Sequence, residues 1–188
     1  MLSAAFLLSL ASPADGAPDP SFILDAFRAT CQRAGDLEQM KQDARSSGWE
    51  EISDNADPRI ERLTRVGREM IGEGWTLTGA TFRRTVAGTS LFLIVSRAED
   101  ENGVWGSGCR LYDFDAALPL AEDALRQWMG RAPTARPEAP SGHLKLVWEP
   151  GWRDGVTVEV NHVPQDSPYR ETYGLSGNVF VAQAIGGF

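Results

Sequence analysis

Cys31, Cys109, His143 and His162 are the only thiol and imidazole groups in the chain. Cys109 sits in Gly106-Ser107-Gly108-Cys109-Arg110 with His143 downstream, so a thiolate activated by an imidazole is arithmetically available. A nucleophilic cysteine gains most at a helix N-terminus, where the dipole lowers its pKa. Cys109 instead stands among strand-forming residues, next to Leu111 and Tyr112. The simpler chemistry for two cysteines is one disulfide, Cys31 to Cys109. In the chain-entropy model a loop of that length contributes about 4 kcal/mol.

Other catalytic arrangements lack their residues. His143 and His162 fall in different predicted strands, without the His-x-x-x-His or Cys-x-x-Cys spacing of zinc sites. The chain has no Gly-x-Ser-x-Gly elbow and no Ser-x-x-Lys. Gly72 and Gly74 precede a strand-like segment instead of opening a helix, so they do not make a phosphate loop. Asp113 and Asp115 flank a strand end at a spacing common to acidic loops. The residue types and spacings point to no catalytic residue, metal or cofactor.

Two groups of residues suit binding. Arg59, Arg62, Arg65 and Arg68 recur every third residue of a predicted helix. Each step turns the helix by about 300°, so they form a slanting ridge, a candidate face for an anionic partner. Asp57, Glu61 and Glu69 are interleaved with it and neutralise part of the charge. Trp148, Trp152, Tyr169, Arg170 and Tyr173 cluster late in the chain and suit stacking on a sugar or peptide. Six tryptophans are more than a core of this size needs.

The elements that must position these residues follow from periodicity. Ser21–Arg33 spaces Ile23, Phe27 and Cys31 helically. Asp36 and Gln39 form a capping box for a helix over Leu37–Ser46, and Trp49 folds back after Gly48. Asp57-Pro58 starts a third helix through Ile71, with Ile60, Leu63, Val66 and Met70 on one face. From Thr78 the period becomes two. Thr81–Ala87, Thr89–Arg97 and Gly103–Phe114 read as an antiparallel meander. Leu118–Met129 reads as a helix with Leu118 inward, and Gly130–Ser141 as a proline-rich link. His143–Trp148, Gly155–His162 and Leu175–Ala184 add strands, with Pro164–Tyr173 as a polar loop. The sum is α+β: an antiparallel β-sheet of five to six strands, with N-terminal helices and one central helix packed on one face.

The first residues point outside the cytosol. Leu2–Ala11 is an uncharged apolar run followed by Ser12-Pro13-Ala14-Asp15-Gly16-Ala17, the layout of a signal peptide cut after Ala14 or Ala17. Ten apolar positions are too few for a membrane span of about 20. Residues 21–188 then form a single domain in an oxidising compartment, where the cysteine pair belongs in a bond. A net charge of -8 argues against nucleic acid, whose binding neutralises phosphates, and against anionic lipid surfaces.

An Ala-containing helix with Phe27 and Cys31, then Asp36, a Gly48-Trp49 corner and a second cysteine at Cys109 resembles the small exported Gram-negative bacterial proteins of unknown function. The resemblance implies export and the Cys31–Cys109 bridge, and carries no activity. The expectation is a periplasmic or secreted, non-catalytic binding module for an envelope component or a protein partner. The alternative is a cell-envelope hydrolase using a carboxylate or a Cys109/His143 site.

Overall fold

Seven strands make one antiparallel sheet, and its two faces are covered unequally. The computed structural model describes residues 20–138 and 142–188; the leader-like segment and part of the proline-rich link lie outside the described residues. The strands are β1 (Glu50–Ile52), β2 (Trp75–Val86), β3 (Thr89–Asp100), β4 (Trp105–Asp113), β5 (Leu144–Trp148), β6 (Thr157–Val163) and β7 (Gly177–Gly186). Their spatial order is β1-β2-β3-β4-β7-β6-β5, which sets β4 at the centre. Ala87 and Gly88 both take positive φ at the β2–β3 hairpin, the conformation that matches a two-residue turn to strand twist.

The helices are α1 (Ser21–Cys31), α2 (Leu37–Ser46), α3 (Pro58–Ile71), α4 (Glu122–Met129) and α5 (Pro168–Tyr173). Asp36 caps α2 by accepting from the Gln39 N–H at 3.0 Å, as its capping box predicts. Asp57 does the same for α3 through the Arg59 N–H at 2.8 Å, with Pro58 in the first turn.

Alternation along the strands separates the faces. On the first face, Phe82, Leu93, Val95, Leu111, Phe180 and Val158 are buried under α1, α2 and α4 together with Phe27, Met40 and Trp49. The Cys31–Cys109 disulfide pins α1 to β4 there, with the two Cα atoms 5.4 Å apart. On the second face a smaller cluster of Phe92, Tyr112, Phe114, Val179 and Val181 closes around Ile60 of α3.

The architecture corrects several expectations. The sheet has seven strands rather than five to six, because β1 is a three-residue edge strand, shorter than any run that alternation can reveal. The helices do not share one face: α3 and α5 pack against each other on the opposite side from α1. Only Ile60 of α3 is fully buried; Leu63 and Val66 are half-buried and Met70 is 75% exposed, so the apolar stripe of this helix is covered only in part. Leu118 is exposed rather than inward, because α4 begins only at Glu122. The expected loop over Pro164–Tyr173 contains α5, capped by the Ser167 hydroxyl accepting from the Tyr169 N–H.

Candidate functional site

Period two puts Gly106, Gly108 and Arg110 of β4 on the face opposite Cys109. Beside them on that face lie Gly79 of β2, Ser96 and Ala98 of β3, and Gln183 of β7. The glycines, Ser96 and Ala98 leave the sheet floor low. Held at its N-terminal end by Ile60, α3 runs over this floor without filling it, and Leu63, Gly67 and Ile71 form the facing wall. The result is an open groove of about 450 Å³, in the range of small-molecule sites. Leu77 and Ile185 stand at its lip, 37% and 70% exposed.

The electrostatics of the groove reduce to three charged side chains. Arg68 and Asp54 form an ion pair, and Asp54 also accepts from the Thr81 hydroxyl at 2.7 Å. Arg110 is left over. Its Nη1 donates to Ser96 Oγ at 3.2 Å, and among the described residues it pairs with no carboxylate. Its charge is felt at Tyr112, whose hydroxyl burial pushes up in pKa against the opposing effect of Arg110.

Of the residues singled out from the sequence, Arg68 alone lines the groove; the others fall elsewhere and do not assemble into one site. Trp148 is fully buried on the first face and donates its indole N–H to the Arg131 carbonyl at 3.1 Å. Trp152 packs edge-on against Phe27 and Trp128, and donates to the Gln32 carbonyl at 3.2 Å. Tyr169 stacks on His143 with one face and on Tyr173 with the other, on the α3 side of the molecule. Arg170 donates to the Gln165 carbonyl.

The arginine ridge is engaged internally. Arg59 bridges Asp57 and Asp115 and covers the Phe114 ring, Arg65 pairs with Glu69, and Arg68 pairs with Asp54. Arg62 donates to the Glu171 carbonyl at 2.7 Å, tying α3 to α5. Three of the four guanidiniums are thus matched by a carboxylate.

With Cys109 bonded to Cys31, no thiol remains for His143 to activate. His143 Nε2 lies 3.3 Å from Ser167 Oγ, but Ser167 is 4% exposed and its hydroxyl already caps α5. Desolvation, with the neighbouring His162, lowers the His143 pKa. Burial raises the Asp113 pKa. Among the described residues no group of three His, Cys, Asp or Glu is placed to hold a metal, and no helix is long and apolar enough to cross a membrane.

The sequence carries a signal for the groove: two glycines and an arginine at alternate positions of a strand. Cys109, between them in the strand, points to the other face. The chain matches no protein-family model, no curated protein and no solved structure.

Proposed function

We propose that this protein is an exported, non-catalytic binding module of the cell envelope, and that it takes its ligand in the groove between α3 and the sheet. The observation that carries this reading is the bare half of the second face. A sheet face beneath a helix ordinarily carries large apolar residues that meet it. Here glycine and short side chains stand under a helix whose one fully buried residue, Ile60, lies in its first turn. The apolar lip formed by Leu77 and Ile185 adds surface that a ligand would cover. The disulfide supports export, since such bonds persist in oxidising compartments. The apolar leader-like run supports it independently.

Native mass spectrometry on protein released gently from the envelope fraction tests this. The groove reading expects a small-molecule adduct on the wild type that Gly67→Leu abolishes. Gly67 lines the groove, and a Cβ there meets open space, so the leucine fills the cavity while improving helix propensity. Accumulation of the protein in the cytosol, or an adduct unaffected by Gly67→Leu, would overturn the proposal.

A further inference from the structure

The groove's charge and shape restrict what it can hold. Arg68 and Asp54 cancel, so the site presents one net positive charge within a chain of net charge -8. An anion approaching such a chain meets repulsion at long range and gains only where a cation is locally unmatched. A half-buried guanidinium without a carboxylate is such a place, and its planar fork suits a carboxylate with two parallel N–H bonds.

We propose that the ligand is an amphiphile bearing a single negative charge, an acyl carboxylate whose head meets Arg110 and whose chain lies between α3 and the sheet. This rests on the groove being the ligand site. A dianion such as a phosphate monoester would leave one charge uncompensated, because no second free cation lines the groove among the described residues. A cationic amphiphile would face Arg110 directly. Thr64, Thr78 and Gln183 also line the groove, but Leu63, Ile71, Leu77 and Ile185 give it an apolar strip that matches an alkyl chain better than a sugar.

The head has a defined seat. Arg110 lies over Gly108 in its own strand and is steadied by Ser96. A guanidinium held in this way loses less freedom on binding than one free in solvent, which favours affinity.

Isothermal titration of the intact, oxidised protein with decanoate, decanol and decyltrimethylammonium tests the assignment. Decanoate binds the wild type at least about tenfold more tightly than decanol, the scale of a charge-assisted bond at a partly exposed site. Arg110→Gln removes that preference while leaving decanol binding in place, and Arg110→Lys, which keeps the charge without the fork, retains part of it. Gly67→Leu weakens decanoate and decanol alike by tenfold or more. Equal affinities for decanoate and decanol, or tightest binding of the cation, with all of it lost in Gly67→Leu, would overturn the anionic class and leave the groove reading standing. No binding of any of the three, or binding indifferent to Gly67→Leu, would overturn both.

Discussion

The Arg110 guanidinium rests on the bare backbone of Gly108, two residues back along β4: a Cβ at Gly108 would stand 2.6 Å from Nη1 and 3.0 Å from Cζ of that arginine. The glycine is what lets the charged head lie flat in the groove. Gly108→Ala therefore displaces the guanidinium without touching the hydrophobic clusters. Decanoate affinity drops about threefold to tenfold, while unfolding free energy changes by no more than about 1 kcal/mol, because the flexible arginine yields to the methyl. Calorimetric titration alongside urea unfolding checks this; an affinity equal to wild type would count against the seating of Arg110.

The bond between Cys31 and Cys109 spans a sequence separation of 78 and ties the first helix to the central strand. Both cysteines are fully buried. The native oxidised protein therefore shows no titratable thiol until it is denatured and reduced. The Cys31→Ala/Cys109→Ala variant loses about 4 kcal/mol of unfolding free energy. Thiol titration with denaturant melts measures both, and a native free thiol would contradict the fold described here.

Ile60 is the one buried residue of α3 and the anchor of the groove's upper wall. Ile60→Ala costs about 2–5 kcal/mol by the ordinary cavity penalty. It also loosens α3, so ligand affinity declines with stability. Met70→Ala, at an exposed position of the same helix, leaves stability within about 0.5 kcal/mol. Comparable losses in the two variants would mean that α3 is not held as described.

Asp57 caps α3 and hydrogen-bonds the Arg59 side chain, which holds its carboxyl pKa below the usual value even though partial burial works the other way. An acid with a lowered folded-state pKa contributes stability above its unfolded pKa and loses it as pH falls through the folded one. Wild type therefore exceeds Asp57→Asn in stability by a constant margin from neutral pH to about 5, and the margin shrinks below about pH 4. Because Arg59 is 34% exposed, the margin stays under about 1 kcal/mol. Denaturant midpoints across pH provide the check; a margin that widens on acidification would refute the pairing.

Much of the frame was legible because local chemistry states it. Asp36 with Gln39 marks the start of α2, Asp57-Pro58 marks α3, and Ala87-Gly88 marks the hairpin. The disulfide followed from the chain having two cysteines, in a sequence whose apolar first residues read as a leader. What stayed hidden depends on which side a residue faces. Trp148 has a binding residue's identity and a core residue's burial, and only the register of β5 on β6 decides between them. The arginine ridge is periodic in sequence, yet its partners Asp54, Asp115 and Glu171 lie far along the chain from it or beyond the helix. β1 and α5 are too short for a period to register. The groove itself is a consequence of small residues on three neighbouring strands, and the glycines of β4 state only part of it.

The most direct measurement is a two-dimensional amide NMR titration of the oxidised protein with decanoate. The account predicts that shifts concentrate at Gly67, Gly79, Ser96, Gly106, Gly108 and Arg110, and that Arg110→Gln diminishes them. Shifts centred instead on the Tyr169–Tyr173 stack or around Trp152, or no shifts at millimolar ligand, would contradict it.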